Sequence, residues 1–238
     1  MITSETISEY PSLESIGPSL RSLTKGPEHS LVVNYIDSKI TPYSDEWQVI
    51  FLEPRVDACF PDIVIVYFDT NISENWSRDR AKLVKSDIRI LHYIFTNEVV
   101  TLSQLNTFFP KGVSSSLKRL HEAKVIEWIA GDWRAKPLHE IFAIKKLVAI
   151  EAKISNWQQG LQQAFHNSWF ASESYLLLQH MPRRTTLLQQ AENMGVGVLM
   201  PHQCLDKPEI SAQVERMPKS YASWLFNEWA WRAKLAKN

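Results

Sequence analysis

Cysteine is scarce in this chain: Cys59 and Cys204 are the two in 238 residues, far apart and without a second cysteine at metal-ligand spacing. This pattern excludes a disulfide framework and a zinc knuckle. No run of about 18 apolar residues is present, and the polar N-terminus lacks the basic-then-apolar pattern of a secretion signal. We therefore expect a soluble, cytoplasmic protein.

Several enzyme signatures are also missing. The seven histidines are scattered and include no His-x-x-x-His pair, so a zinc site is not indicated. No Gly-rich loop is followed by Lys-Ser or Lys-Thr, and no Gly-x-Ser-x-Gly segment occurs. Gly195 and Gly197 lack the third glycine of a dinucleotide fold. These absences argue against P-loop, serine-hydrolase and dinucleotide chemistry.

The charge is balanced overall but unevenly distributed. The formal net charge is zero, yet acidic side chains outnumber basic ones in residues 1–73 and basic side chains outnumber acidic ones in 76–136. Such asymmetry is compatible with a phosphate-binding face in the middle of the chain, although scattered charges also serve solubility alone.

An apolar run ends in two charged residues at 148–153. In a strand, residues two apart point the same way, so Glu151 and Lys153 share one face. An unpaired buried charge is costly, and the two residues therefore need a partner, a metal ion or solvent. One interpretation is a surface ion pair on an amphipathic strand; the other is a functional site.

An acidic residue far upstream favours the functional interpretation. Segments 47–53 and 62–68 are predicted to form an antiparallel hairpin. Pro61 suits the first position of the second strand, where no amide hydrogen is needed. Asp62 is thereby predicted to lie at the mouth of that strand.

Residues 74–136 are basic and mostly helical. Helices are predicted at 74–85, at 86–95, from Thr101 and at 114–123, followed by a short hairpin that turns at Gly131. This order resembles the winged-helix DNA-binding modules, which also occur as protein-interaction modules and spacers. The resemblance implies that the helix at 114–123 is the recognition helix and that the hairpin is the wing. The residues expected to face outward toward phosphates and base edges are Ser114, Ser115, Ser116, Lys118, Arg119 and Arg134.

The remainder of the chain alternates strands and helices. Strands at 147–152, 174–179 and 195–200, separated by helices, predict parallel crossovers in an α/β sheet. The tail from 218 to 238 is predicted to form a Trp-rich helix that caps the sheet. A dimerisation or partner-binding face is the alternative for this helix.

Three short matches resemble the PD-(D/E)XK nuclease superfamily. Pro61-Asp62 matches the first half of its motif and Glu151-Ala152-Lys153 the second, while Gln163 matches the glutamine that many members carry on the next helix. The resemblance covers 28–73 and 141–200, with the winged helix inserted between them. Glu28, in the first turn of a predicted helix, is a further candidate, and Glu53 and Asp57 are alternatives to it.

The resemblance implies a restriction-endonuclease-like mixed sheet flanked by helices, with an inserted winged-helix module. The implied domains are an N-terminal arm at 1–27, a discontinuous core at 28–73 and 137–238, and the insertion at 74–136. A homodimer stays open, because the sequence offers only apolar faces as contacts.

The resemblance also implies a metal-dependent nuclease that acts on DNA. Asp62 and Glu151 would bind Mg²⁺ or Mn²⁺, and Lys153 would orient or deprotonate the attacking water. Gln163 would position the lysine, the water or a phosphate, and Glu28 would be an outer-sphere or second-metal ligand. The alternatives are an inactive DNA-binding or regulatory protein on a nuclease scaffold, and an interaction subunit of a defence or mobile-element complex.

Overall fold

The computed structural model describes residues 4–6, 17–18, 26–39, 47–57, 59–183 and 186–237, so most of the predicted N-terminal arm lies outside the described residues. The strands are β1 Ser4–Thr6, β2 Trp47–Leu52, β3 Ile63–Phe68, β4 Ile126–Ile129, β5 Asp132–Ala135, β6 Ile144–Lys153, β7 Glu173–Leu178 and β8 Gly197–Leu199. The helices are α1 Pro27–Lys39, α2 Thr70–Ser73, α3 Lys85–Asn97, α4 Leu102–Phe108, α5 Val113–Glu122, α6 Leu138–Ile141, α7 Trp157–Asn167, α8 Leu187–Asn193 and α9 Tyr221–Lys237, and a 3₁₀ helix spans Arg78–Lys82.

The chain divides into two compact units, one formed by 1–68 with 144–219 and the other by 69–143 with 220–238. The first unit is a mixed α/β structure on a sheet of strand order β1-β2-β3-β6-β7-β8. The pairs β2–β3 and β3–β6 are antiparallel, whereas β6–β7 and β7–β8 are parallel. The predicted hairpin and the predicted parallel crossovers are therefore confirmed.

Helices cover both faces of this sheet. On one face, α1 packs through Leu31 and Tyr35 against Ile63 and Ile150. On the other face, α7 and α8 pack against β7 and β8. The segment 63–66 is a fully buried β-branched run, which is typical of a central strand enclosed by two helical layers.

The second unit contains α3, α4, α5, the β4–β5 hairpin and α9. Its core includes Ile88 and Leu91 of α3 and Leu117 and Leu120 of α5. The predicted helix at 74–85 is wrong: the chain forms α2 and the 3₁₀ helix instead, because the Ser77 side chain accepts from the Asp79 amide and starts a new turn.

The C-terminal helix α9 belongs to the second unit, and the predicted cap over the sheet is wrong. Its Glu228, 1% exposed, accepts hydrogen bonds from the guanidinium of Arg80, which is equally buried. Asn227 accepts from the amide of Ala143 at 2.8 Å. Buried polar groups require specific partners, and here the partners are Arg80 and Ala143, both of the second unit. These bonds hold α9 in the second unit. The division therefore differs from the predicted domains in placing 69–73, 137–143 and 220–238 together with the insertion.

None of the helices in the described ranges combines the length and the apolar character that a membrane crossing requires.

Candidate functional site

The register of two antiparallel strands brings Asp62 beside Glu151. Ile63 of β3 pairs with Ile150 of β6, so the next position along places Asp62 opposite Glu151. The Ala152 amide donates a hydrogen bond of 2.7 Å to Oδ2 of Asp62. The two acidic residues of the sequence motif therefore meet at one edge of the sheet, although the second unit separates them along the chain.

Lys153 lies next to this pair. Its Nζ is 3.2 Å from Oε1 of Glu151 and 3.8 Å from Oε2 of Glu28, which lies in the first turn of α1. The Glu28 side chain is 49% exposed, whereas that of Glu151 is 4% exposed. Glu28 thus joins the site through the lysine, at its solvent-facing side.

The alternatives to Glu28 occupy different positions. Glu53 raises the pKa of the Asp62 carboxyl, after the larger effect of burial, and its amide donates to the Asp62 carbonyl at 3.1 Å. Asp57 instead raises the pKa of the Cys59 thiol, after the larger effect of burial on that thiol. The site therefore contains a further acidic residue, Glu53, in addition to Glu28.

The two central carboxyls are poorly neutralised. Burial, followed by the nearby Asp62, raises the pKa of Glu151 from 4.5 to about 8, against the opposing effect of Lys153. Burial likewise raises the pKa of Asp62 from 3.8 to about 6, although the Ala152 amide and Lys153 lower it. One ammonium group is too little positive charge to keep both carboxyls ionised, and a divalent cation would provide the rest.

Lys153 keeps its proton in this environment. Burial disfavours its charged form, but the carboxyls of Glu151, Asp62 and Glu28 outweigh that effect and raise the lysine pKa. At neutral pH the side chain is therefore an ammonium group, which donates hydrogen bonds and cannot accept a proton.

Helix α7 approaches the site closely at Gly160. A Cβ at this position would lie 2.6 Å from Cγ of Lys153 and 2.7 Å from Cδ1 of Leu176. Glycine inside a helix is less favourable than alanine by about 0.5–1 kcal/mol, so the helix sacrifices intrinsic stability here. The absence of a side chain lets α7 lie directly against the lysine.

Two amide side chains of the same helix have buried polar atoms without a described partner. Oε1 of Gln163 and Nδ2 of Asn167 are buried without a hydrogen-bond partner among the described residues. Asn167, 2% exposed, nevertheless interacts with Glu151 and lowers the pKa of that carboxyl. Sequence reasoning missed Asn167, although its spacing of four residues from Gln163 places it on the same helix face.

The donors at this edge suit a hard cation in kind. Among the described residues, no group of three or more His, Cys, Asp or Glu side chains is arranged to hold a metal ion. Mg²⁺ is commonly bound by one or two carboxylates while substrate phosphates and water complete its coordination. Asp62 and Glu151 fit that requirement, and the poor neutralisation of both carboxyls is consistent with it.

The predicted nucleic-acid contacts of the second unit separate into two groups. Ser114, Ser115 and Lys118 are exposed on α5 as predicted, with the Lys118 side chain 76% exposed. Ser116 is 2% exposed, so the prediction that it faces outward is wrong, because it lies on the same side of the helix as buried Val113 and Leu120.

Arg119 also departs from the prediction. Its Nη2 lies 2.6 Å from Oδ1 of Asp87, and its Nε lies 2.8 Å from Oδ2. This bidentate salt bridge holds the guanidinium against α3, so the side chain does not point toward a ligand as predicted. Arg134 of β5 is half-buried, and its Nε has no hydrogen-bond partner within the described ranges.

No family model and no curated protein matches the chain. A structural comparison matches protein VC1899 from Vibrio cholerae with 12% identity and a TM-score of 0.21, over 65% of each chain. The match spans slightly less than two thirds of that protein, and a likeness this low carries no argument about fold or function.

Proposed function

We propose that this chain is a metal-dependent nuclease that hydrolyses DNA phosphodiester bonds, with a restriction-endonuclease-like core in the first unit and a winged helix in the second. The observation that carries the proposal is the meeting of Asp62, Glu151 and Lys153 at one edge of the sheet. Two buried carboxyls beside an ammonium form the kind of perturbed cluster that is frequent in active sites.

Asp62 and Glu151 would hold Mg²⁺ or Mn²⁺. When bound, the cation supplies positive charge against the charge that develops on the phosphoryl oxygens, and it provides water of lowered pKa. Glu151 would have to release its proton to hold the cation, because a ligating carboxyl must be ionised. Catalysis would therefore strengthen as the pH rises toward the Glu151 pKa of about 8.

Lys153 would orient the attacking water and stabilise the transition state. Its raised pKa supports the role of a positive hydrogen-bond donor over that of a proton acceptor. Glu28 would hold the ammonium from its exposed side and so limit the rotation of the lysine. The attack geometry would then be fixed before substrate binds.

Gln163 would supply the complementary acceptor. Its Oε1 is buried with no described partner, so a water or a substrate hydroxyl would complete its bonding. Asn167 would keep Glu151 in position from the next turn of α7.

The second unit would position the DNA. Exposed Ser114, Ser115 and Lys118 offer hydroxyl and ammonium donors to backbone phosphates, and Arg134 lies on the hairpin that would form the wing. Arg119 would act indirectly, because its bond to Asp87 orients α5.

Cleavage of single-stranded, double-stranded and branched DNA with Mg²⁺ or Mn²⁺ tests the proposal. Lys153→Ala should slow cleavage at least about a hundredfold, whereas Lys207→Ala, at an exposed position of the same unit, should not. Equal rates in the wild type and Lys153→Ala would contradict the proposed site. DNA binding without cation-dependent cleavage would favour the inactive regulatory protein instead.

A further inference from the structure

The second unit contains a cavity of about 290 Å³. Its volume is near the lower end for small-molecule sites, roughly 300–1,000 Å³, and accommodates one small ligand. The lining residues that bear on its chemistry are Trp76, Arg80, Lys124, Lys136, His139 and Glu140.

Arg80 is a rigid donor in the wall of this cavity. The residue is 1% exposed, its Nε donates to Glu228 at 3.1 Å, and its Nη2 donates to the Ile141 carbonyl at 2.8 Å. The guanidinium also lies 3.4 Å from the ring centre of Trp76. These bonds use Nε and Nη2, and Nη1 is the nitrogen with no bond to another described residue. A fixed guanidinium with an available donor is suited to an oxyanion.

Two lysines give the cavity its excess positive charge. Neither Lys124 nor Lys136 forms an ion pair with a carboxylate in the described part of the chain, whereas Lys82 and Lys118 do. Their backbones are held in place, since the Lys124 amide donates to the His121 carbonyl at 2.9 Å and the Lys136 amide to Val125 at 3.0 Å. Both lysines thus line the same cavity, and their backbones are fixed.

The remaining charges do not cancel this excess. Glu228 balances Arg80, and Glu140 is the carboxylate of the lining. Two lysines against one carboxylate leave a net positive wall. A cavity of this size and sign favours a small anion that accepts several hydrogen bonds.

We propose that this cavity binds the phosphate group of a nucleotide, presented either by a free nucleotide or by the end of a nucleic-acid strand. Lys124, Lys136 and Nη1 of Arg80 hold the phosphate oxygens, and Trp76 forms an aromatic wall. The proposal goes beyond the nuclease and does not depend on it, because every residue of the cavity belongs to the second unit.

Isothermal titration calorimetry on the full chain tests the site. A nucleoside 5′-monophosphate should bind the wild type, and the unphosphorylated nucleoside should not. Lys124→Ala combined with Lys136→Ala should weaken this binding at least about tenfold. Lys82→Ala with Lys111→Ala removes the same charge at exposed positions outside the cavity and should leave the affinity unchanged. Equal affinities in the two double variants, or no phosphate-dependent binding to the wild type, would overturn the proposal.

A second pair of ligands distinguishes the source of the phosphate. A 5′-phosphorylated oligonucleotide is compared with its 5′-hydroxyl form and with the free monophosphate. Lysine-dependent binding of the phosphorylated strand that is at least about tenfold tighter than that of the free monophosphate identifies a strand end, and comparable binding of the two identifies a nucleotide site. Both titrations are repeated with Asp62→Asn, where phosphate binding should persist even if cleavage is lost. Loss of phosphate binding in Asp62→Asn would contradict a site confined to the second unit.

Discussion

The ammonium of Lys153 lies 3.2 Å from the carboxylate of Glu151, two residues earlier on the same face of β6. Their side chains are 11% and 4% exposed, so the pair is buried and the interpretation as a surface ion pair is wrong. A buried pair of this kind is costly unless further groups satisfy it. Here Glu28 and Asp62 favour the charged form of Lys153, but Asp62 disfavours the charged form of Glu151, so the cluster keeps an excess of negative charge.

Gly160→Ala should reduce cleavage more than it reduces stability. The added Cβ would meet Cγ of Lys153 at 2.6 Å and displace the lysine, while the gain in helix propensity, about 0.5–1 kcal/mol, offsets part of the steric cost. Cleavage rates and urea unfolding of the variant measure both effects. Gln162→Ala, at an exposed position of the same helix, is the control. Full activity in Gly160→Ala would show that the lysine position is not critical.

The stability of the cation-free protein should fall as the pH rises from about 5 to about 8. Glu151 has a pKa raised to about 8 and Asp62 one raised to about 6, so in this window the folded chain binds more protons than the unfolded chain. Glu151→Gln should flatten this fall and be more stable than the wild type at pH 8 by roughly 1–3 kcal/mol. Urea unfolding at several pH values measures the free energy of unfolding of both proteins. If it depends on pH in the same way in the wild type and in Glu151→Gln, then Glu151 does not have the raised pKa on which this prediction depends.

Mg²⁺ should stabilise the wild type more at pH 8 than at pH 6. Binding requires ionised Asp62 and Glu151, and at the lower pH the cation must displace their protons. Thermal unfolding with and without Mg²⁺ at both pH values provides the measurement. A gain that is independent of pH, or equally large in Glu151→Gln, would place the cation elsewhere.

Arg119→Ala should destabilise the second unit by roughly 1–3 kcal/mol, because it leaves the carboxylate of Asp87, 0% exposed, without its ion pair. Adding Asp87→Asn should recover part of the loss, since the remaining buried group is then neutral. Lys118→Ala is the matched control on α5 and should leave stability unchanged. Urea unfolding curves of the two Arg119 variants and of Lys118→Ala, each compared with the wild type, measure these effects. Wild-type stability in Arg119→Ala would show that the Arg119–Asp87 salt bridge does not stabilise the unit.

Lys118→Ala should weaken DNA binding and lower the slope of log affinity against log salt by about one. The side chain is 76% exposed and so is accessible to a backbone phosphate. Titrations of labelled DNA at several salt concentrations measure the slope. An unchanged slope would favour a protein partner for this unit.

The proximity of Asp62 and Glu151 was predictable because the signals that place them are local. A buried β-branched run marks β3, and Asp62 lies immediately before it, so one residue of register sets it opposite Glu151. Arg119 could not be predicted from local pattern, since its partner Asp87 lies on another helix 32 residues away. The position of α9 depends likewise on the Arg80–Glu228 pair, 148 residues apart, and a Trp-rich helix alone does not specify which surface it covers.

The rate of DNA cleavage by Asp62→Asn in Mg²⁺ decides whether the two carboxyls hold a catalytic cation. The substitution keeps the shape of the side chain and an acceptor for the Ala152 amide, but it removes one of the two charges proposed to hold the cation. We expect Mg²⁺-dependent cleavage by the wild type and a rate at least about a hundredfold lower in the variant. Cleavage by Asp62→Asn at the wild-type rate would contradict this expectation.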